Sequence, residues 1–375
     1  MNRHSGWCPE ARSDLFIGLM SGTSLDGIDC VLSDFSERPT LVARCFVPYP
    51  AELKAALIEL CRGGHDELER AARMGADLSA RYAQAVNELL LEAGVEPGRI
   101  AAIGCHGQTV RHRPEQGFTI QLVNPALLAE RTAITVVADF RSRDLAAGGQ
   151  GAPLVPAFHA ACFRSSSRHR VVVNIGGIAN LTDLPIPDDG AVRGFDSGPG
   201  NILLDAWAGR RLGTPCDRDG ALAASGSVIS ELLALMLADE YFARVPPKST
   251  GRERFNTDWL AAVGVDRYPV ADVQATLAEL TVRTIAEGIE RWCSGAEEVF
   301  ASGGGVHNAD LMRRLRARLD VRTLATTDTL GVPADWVEAM AFAWLARQTL
   351  SNAPGNLPEV TGAAGSRMLG AIYPA

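Results

Sequence analysis

The chain has 375 residues, of which 47% are hydrophobic and 21% charged, and its net charge is −8. This length suits two domains of moderate size, and the composition is that of an ordinary soluble globular protein. The acidic balance and the lack of any Lys/Arg-rich run argue against a nucleic-acid-binding protein. Lysine occurs only at Lys54 and Lys248, and neither ends a glycine-rich turn, which excludes a P-loop NTPase.

The eight cysteines are scattered without a C-x-x-C pair, which argues against a metal ribbon or a disulfide framework. No apolar segment is long enough to cross a bilayer. Residues 1–13 are polar and lack the hydrophobic region of a signal peptide. These features predict a cytoplasmic protein without membrane contact, in which residues 1–13 form a loose leader.

The first predicted elements are two apolar strands, 15–20 and 28–32, separated by Gly22-Thr23-Ser24-Leu25-Asp26-Gly27. Glycine at the tip of such a hairpin allows backbone N–H groups to approach an anion, and Thr23 or Ser24 can add a hydroxyl donor. The pattern predicts a phosphate-binding turn. The alternative is a plain tight hairpin.

A third strand follows at 41–47, then helices at 51–61 and 67–93, and then strands at 100–104, 119–123 and 134–139. The second helix carries apolar residues at helical spacing, so one face should be buried on a sheet. His106 falls in a predicted turn at 106–109, where it binds substrate or is a satisfied turn histidine. The lack of a second histidine nearby argues against a metal.

Residues 138–144 place Arg141 and Arg143 with two acids at the end of a strand. Arginine pairs bidentately with carboxylates, which predicts recognition of an acidic substrate group, whereas the alternative is a solvated salt-bridge cluster. The polar run 164–168 is the predicted boundary between a first lobe, 14–165, and a second lobe, 166–375.

The second lobe repeats the strand-turn-strand pattern, with Gly176 and Gly177 in the turn 174–180. Two similar turns indicate two similar lobes facing one polyphosphate. A three-strand start followed by alternating helices and strands occurs twice, which predicts mixed sheets with helices on their faces.

Three further positions carry candidate chemistry. Asp196 comes between a predicted short strand and a helix, where it acts as a general base or caps the helix. The turn Ser302-Gly303-Gly304-Gly305 leaves room for a nucleoside or is a flexible loop. Glu338 lies in the apolar helix 336–350, where it has a polar partner or faces water.

Together these residues resemble the anhydro-N-acetylmuramic acid kinases, a bacterial branch of the sugar kinase, Hsp70 and actin superfamily. The resemblance extends over about residues 16–373. It rests on six motifs in order, at 18–27, 104–109, 138–143 with 148–156, 174–180, 194–201 and 246–253. Ser197 stands where threonine is expected, and the hydroxyl is kept.

The resemblance implies an α/β protein with a two-lobed actin-like ATPase (ribonuclease H-like) fold. Each lobe would be a mixed sheet flanked by helices, with ATP in the cleft between lobes and the C-terminal helix packed back on the first lobe. The implied enzyme uses ATP and Mg²⁺ to open the 1,6-anhydro ring of anhydro-N-acetylmuramic acid with water and to phosphorylate O6. It would act in cytoplasmic peptidoglycan recycling, as a homodimer.

The resemblance also implies residue roles. Asp196 is the catalytic base, and Asp26 orients Mg²⁺ or its waters. The sugar is bound by His106, Arg141, Arg143 and Glu338. The nucleotide is bound by Gly22, Thr23, Ser24, Leu25, Asp26, Gly27, Ile28, Asp29, Gly176, Gly177, Asn180, Gly303, Gly304 and Gly305. The rivals are a conventional sugar or carboxylate kinase and a nucleotide-driven switch like the chaperone or actin ATPases.

Overall fold

The structure is a computed structural model that describes residues 13–321 and 323–375. The predicted leader therefore lies outside the described residues, apart from Ser13. The strands are β1 (Leu15–Ser21), β2 (Gly27–Asp34), β3 (Thr40–Pro48), β4 (Ala102–Arg113), β5 (Phe118–Leu122), β6 (Val136–Ala138), β7 (Arg170–Ile175), β8 (Ile178–Leu184), β9 (Arg193–Pro199), β10 (Glu298–Ser302), β11 (Thr323–Thr326) and β12 (Ala371–Tyr373).

The helices lie between these strands along the chain, singly or in succession. They are α1 (Ala51–Arg62), α2 (Glu67–Ala93), α3 (Pro125–Thr132), α4 (Ser142–Ala146), α5 (Val155–Phe163), α6 (Ile202–Leu212), α7 (Ala221–Ser225), α8 (Ser230–Leu237), α9 (Glu240–Ala243), α10 (Thr257–Ala262), α11 (Val270–Trp292), α12 (Ala309–Arg318), α13 (Val337–Leu350) and α14 (Pro358–Thr361).

The chain divides into two compact units. The first contains the described residues up to Ala146 together with Glu338–Gly355 and Arg367–Ala375, and the second contains Ala147–Val337 and Asn356–Ser366. The sequence placed the boundary after residue 165, whereas residues 147–165 group with the second unit. Helix α5 belongs there because it packs on β8, where the Nδ1 atom of His159 lies 2.9 Å from the Thr182 hydroxyl.

The sheet of the first unit has the strand order β12-β6-β4-β1-β2-β3, with β5 paired to β4. The pairs β1/β2 and β2/β3 are antiparallel, whereas β1/β4 and β4/β6 are parallel. The sheet of the second unit has the order β11-β10-β7-β8-β9, again with an antiparallel three-strand start and two parallel strands. The prediction of two mixed sheets with flanking helices is confirmed.

Helix α2 covers one face of the first sheet. Its buried positions, among them Leu78, Tyr82, Val86 and Leu89, recur every three or four residues, as the helical repeat requires. Gly94 ends the helix in the left-handed conformation, and its N–H donates to the carbonyls of Leu90 and Leu91. The bounds of α2 agree with the predicted helix 67–93.

Helix α13 lies against β1 and β4 at two glycines. A Cβ atom at Gly18 would collide with the carbonyl oxygen of Ala339, and a Cβ atom at Gly104 would collide with that of Phe342. Only glycine lets helix and strand backbones come this close. The first unit is therefore built from residues at both ends of the described chain.

The prediction of a turn at residues 106–109 was wrong, because β4 continues through these residues to Arg113. Gly107 has a φ of +73°, and the pairing of β4 with β1 shifts between Cys105 and Gln108. The glycine thus marks a β-bulge within a long strand.

The described residues contain no single helix that is both long and apolar enough to cross a bilayer. One pair of segments, 218–225 and 230–237, passes this criterion only jointly and is bent by 118°.

The contact between α13 and β4 predicts a large effect of Gly104→Ala. The added methyl group would push α13 away from the sheet, and overpacking of this kind costs about 1–3 kcal/mol of unfolding free energy. Urea denaturation would measure the loss. Gly98→Ala is the matched control, since a Cβ atom there meets nothing within 4 Å, and an effect of Gly104→Ala as small as the control's would contradict the prediction.

Candidate active site

The first glycine turn joins β1 to β2. The N–H of Leu25 donates to the carbonyl of Gly22 at 3.3 Å, which leaves Thr23 and Ser24 exposed at the tip. Leu25, not a glycine, adopts the left-handed conformation (φ +58°), and its side chain is buried. Within the described part of the chain, no hydrogen bond engages the backbone N–H of Thr23 or Ser24. These two donors are available to an anion.

A buried polar network supports this turn from below. The hydroxyl groups of Tyr49 and Tyr82 both donate to the Ser21 hydroxyl, at 2.9 and 3.0 Å. The side-chain amide of Gln108 donates to the Gly22 carbonyl at 3.1 Å. Sequence reasoning missed the two tyrosines, since each is far from the turn along the chain and looks like an ordinary core residue.

The remaining predicted residues of the turn differ in exposure. Asp26 is exposed and accepts a hydrogen bond from the Lys54 ammonium at 2.9 Å. Asp29 is partly buried on β2, whereas the side chain of Ile28 is fully buried in the core. The described residues contain no cluster of three or more His, Cys, Asp or Glu side chains that could hold a metal ion.

The second glycine turn joins β7 to β8. The carbonyl of Gly176 accepts from the N–H of Asn201 at 2.8 Å, and the carbonyl of Gly177 accepts from the N–H groups of Gly200 and Ile202 at 2.9 and 3.1 Å. The start of α6 is thus hydrogen-bonded to the turn. In the described residues, no hydrogen bond uses the N–H of Gly176 or Gly177.

The glycines of the two turns serve different purposes. A Cβ atom at Gly27 or Gly200 would collide with backbone carbonyls, so the fold itself requires glycine there. At Gly22, Gly176 and Gly177 a Cβ atom would meet protein atoms no nearer than 3.6 Å, and none has a positive φ. Because the fold tolerates a side chain at these three positions, their glycines leave space for a ligand.

The Ser302–Gly305 turn lies beside the second glycine turn. Ser302 pairs with Asn174 across β10 and β7, and the N–H of Gly303 donates to the Ala334 carbonyl at 2.9 Å. A Cβ atom at Gly303 would collide with the Asn174 side chain, and one at Gly305 with that of Ile175, whereas Gly304 faces open space. Two of these glycines are therefore needed for packing, and Gly304 is the one with open space beside it.

Asp196 lies within β9 and not after it as predicted, directly opposite Asn180 of β8. The N–H of Thr250 donates to its Oδ2 atom at 2.9 Å, and its backbone N–H donates to the Lys248 carbonyl at 3.0 Å. The Tyr241 hydroxyl donates to its carbonyl oxygen at 2.8 Å. No other described residue hydrogen-bonds the carboxylate, so Oδ1 is available. Asp196 does not cap α6, which has no side-chain cap.

The surroundings of Asp196 favour a neutral carboxyl group. Desolvation by the surrounding protein raises its pKa to about 7, and the nearby charge of Glu253 acts in the same direction. The hydrogen bond from Thr250 and the charge of Lys248 oppose the increase without cancelling it. A carboxylate with this pKa can exchange a proton near neutral pH.

The first unit brings together His106, Arg141 and Glu338. The Arg141 guanidinium donates to the Nε2 atom of His106 at 2.9 Å, so His106 is neutral and carries its proton on Nδ1. Burial and the charge of Arg141 lower the pKa of His106 to about 3. Burial raises the pKa of Glu338, and the Arg141 charge opposes this. Arg143 is exposed on α4.

The structure therefore assembles two groups of predicted site residues. In the second unit the Gly176–Gly177 turn joins β7, which pairs with the strand before Gly304, to β8, which pairs with the strand that carries Asp196. In the first unit the backbone of Ser21, which precedes the Gly22 turn, lies against His106 of the arginine cluster. The sequence signal for Thr250 was the 246–253 motif, although no contact with Asp196 could be derived from it.

The repeated strand order with a glycine hairpin at the first connection of each sheet defines the ribonuclease H-like, actin-like class of sugar kinases, Hsp70 and actin. Within that class, the model of the family described as "Anhydro-N-acetylmuramic acid kinase" matches residues 14–375. The chain belongs to this family, which confirms the resemblance inferred from its motifs.

Two relatives agree with the family match. The anhydro-N-acetylmuramic acid kinase of Nitrosomonas europaea is 55% identical over 96% of this chain and 99% of its own length. That of Pseudomonas paraeruginosa is 54% identical over 96% and 99%. Component A of the (R)-2-hydroxyglutaryl-CoA dehydratase of Acidaminococcus fermentans, a solved structure, is 14% identical, with a TM-score of 0.48 over 88% of this chain and 96% of its own.

The raised pKa of Asp196 predicts a pH-dependent stability difference between the protein and Asp196→Asn. An acid whose pKa is about 7 in the folded state and 3.8 when unfolded makes folding less favourable as pH rises from 4 through 7. Asparagine removes this penalty, so the variant should gain roughly 2–4 kcal/mol relative to the parent between pH 4 and 8. Chemical denaturation of both proteins across this range measures the difference, and a difference that does not change with pH would contradict the assignment.

Proposed function

We propose that the protein is an ATP-dependent kinase that opens the 1,6-anhydro ring of anhydro-N-acetylmuramic acid with water and phosphorylates O6. The products would be N-acetylmuramic acid 6-phosphate and ADP, and the reaction would serve peptidoglycan recycling. The observation that carries this proposal is the environment of Asp196. Its carboxylate has one oxygen without a hydrogen bond to the described residues and a pKa near neutrality. The strand that carries it pairs with β8, which directly follows a glycine turn suited to phosphate.

Asp196 would act as the general base. Its Oδ1 atom takes a proton from a water molecule, the water oxygen bonds to the anomeric carbon, and the bond between that carbon and the bridging oxygen breaks. The released O6 then bonds to the γ-phosphorus, and the bond from that phosphorus to the β-phosphate oxygen breaks. General-base assistance of this kind contributes about 10² to 10⁴ in rate.

The contacts around Asp196 support this role by fixing the carboxylate. Thr250 holds Oδ2 from the 246–253 segment, and Tyr241 holds the backbone of the same residue. The Tyr241 side chain is itself fully buried. Because both the main chain and one carboxylate oxygen of Asp196 are anchored, Oδ1 has few orientations open to it, which favours proton transfer in a defined direction.

The two glycine turns would bind the phosphates of ATP. In each turn, backbone N–H groups without a hydrogen bond to the described residues occur together with a glycine at which the fold would tolerate a Cβ atom. This combination suits an anion. The open space at Gly304, beside the second turn, would take the nucleoside. Phosphoryl transfer depends mainly on such positioning and charge neutralisation.

Among the described residues, Asp26 of the first turn would suit Mg²⁺, because it is an exposed carboxylate of the kind that binds this ion through water. When bound, Mg²⁺ would neutralise phosphate charge. The ion pair with Lys54 holds the Asp26 side chain beside the turn.

The His106, Arg141 and Glu338 cluster would bind the sugar. The lactyl carboxylate of the substrate needs a cationic partner, and Arg141 or Arg143 supplies one. His106, as a neutral acceptor, orients the Arg141 guanidinium. Assignment to the cytoplasm rests on the sequence features given above, and assignment to a homodimer rests on the resemblance to the family alone.

A coupled assay of ADP formation with purified anhydro-N-acetylmuramic acid tests the proposed reaction. We expect ADP and a phosphorylated sugar from the anhydrosugar and none from open N-acetylmuramic acid. The specificity constant kcat/KM should rise with pH and level off above pH 7, because Asp196 must be ionised to accept a proton. Asp196→Asn should retain ATP binding and lose turnover by roughly 10² to 10⁴. Full activity of this variant would disprove the assigned base.

Gly177→Ala tests the phosphate turn. The added methyl group meets only Ile202, at 3.8 Å, so the thermal midpoint should not change. It would intrude on the bound phosphate, and loss of one charge-assisted hydrogen bond, worth about 1.5–3 kcal/mol, should raise the Kd for ATP at least about tenfold.

Gly209→Ala is the matched control for this variant, because Gly209 lies in helix α6 of the same unit, where a Cβ atom meets nothing nearer than 3.7 Å. This substitution should leave ATP affinity unchanged. Isothermal titration with a non-hydrolysable ATP analogue measures both proteins. Equal affinities would remove the turn from the nucleotide site.

A further inference from the structure

Two cysteines face each other in the first sheet, outside the residues assigned to catalysis. Cys30 of β2 and Cys45 of β3 are direct partners in the antiparallel pairing of these strands. The register is regular at this point and shifts only between Leu32 and Ser33. Since strand partners project their side chains to the same side of a sheet, both thiols lie on one face.

This placement suits a disulfide. Directly opposite residues of an antiparallel pair have Cα atoms roughly 4.5–5.5 Å apart, and disulfides span Cα separations of roughly 4.4–6.8 Å. No movement of either strand along the sheet is needed to join the two sulfur atoms. In the described residues both cysteines are in the thiol state.

The two thiols differ in environment. Cys30 is fully buried, whereas Cys45 lies on the edge strand and is partly exposed, with its Sγ atom 3.8 Å from the Ala85 carbonyl of α2. A hydrogen bond from Cys30 lowers the pKa of Cys45, and burial raises that of Cys30. The accessible sulfur is therefore the more nucleophilic one, and the buried sulfur is positioned behind it.

We propose that Cys30 and Cys45 form a peroxide-responsive thiol pair in which Cys45 is the attacking thiolate and Cys30 the resolving thiol. Cys45 loses its proton, its sulfur bonds to one oxygen of hydrogen peroxide, the O–O bond breaks, and the other oxygen leaves as hydroxide, which takes up that proton to become water. The Cys30 sulfur then bonds to the Cys45 sulfur, the S–O bond breaks, and the departing hydroxide takes the Cys30 proton as water. Two thiols are oxidised and one peroxide is reduced to two waters.

Peroxide treatment of the folded chain, followed by alkylation of the remaining thiols and peptide mass spectrometry without reductant, tests this site. We expect a peptide pair linked through Cys30 and Cys45, lighter by two hydrogens than the separate thiol peptides. It should form while the circular dichroism spectrum is still native. Oxidation of the exposed Cys216 while Cys45 remains a thiol, as shown by its complete alkylation, would overturn the proposal. Conversion of Cys45 to sulfinic acid without formation of the disulfide would also overturn it.

Single variants separate the two steps. Cys30→Ser should leave a sulfenic acid at Cys45 that dimedone traps, and Cys45→Ser should abolish oxidation of Cys30 at the same peroxide dose. Cys105→Ser is the matched control. Cys105 is buried in the same sheet, but its partner residue on β1 is not a cysteine, so the Cys30–Cys45 disulfide should form in this variant as in the parent. Failure of dimedone to label Cys30→Ser would exclude Cys45 as the attacking group. None of these readouts depends on kinase activity.

Discussion

The second unit depends on the close approach of Gly200 to the Gly176–Gly177 turn. Three consecutive N–H groups at the start of α6 donate to the carbonyls of the two turn glycines, and a side chain on Gly200 would prevent this. The carbonyl groups of the two turn glycines accept these hydrogen bonds, and their own N–H groups remain for a ligand. The same contact fixes the end of β9, the strand that carries Asp196. One backbone contact thus sets the relation between the turn and the candidate base.

The fold class and several helices and strands could be predicted from the sequence where the pattern is periodic. Two glycine turns between apolar strands, and the helical repeat of residues 67–93, were sufficient to predict mixed sheets covered by helices. The predicted turn at 106–109 failed because a glycine within a strand can mark either a turn or a bulge, and local sequence does not distinguish them. Similarly, the sequence placed Asp196 between a short strand and a helix, whereas β9 continues to Pro199.

The candidate site could also be predicted only in part, and the reason for this limit is a different one. Glycine patterns identify where the backbone is bare, but not whether a neighbour or a ligand occupies the space. Gly303 and Gly305 are packed against Asn174 and Ile175, whereas Gly304 is open, and this distinction needs coordinates. The supports of the site are also invisible in sequence. Tyr82 and Tyr241 have the pattern of core residues, and their hydroxyl contacts join segments far apart along the chain.

The discontinuous make-up of the first unit has a consequence for biosynthesis. Helix α13 covers Gly18 and Gly104, and β12 completes the sheet beside β6, so this unit cannot reach its final packing until α13 and β12 have left the ribosome. While the second unit is synthesised, the apolar face of the β1–β6 sheet that α13 later covers remains exposed. A chaperone that shields this face, or rapid translation of the intervening residues, would reduce aggregation of the unfinished chain.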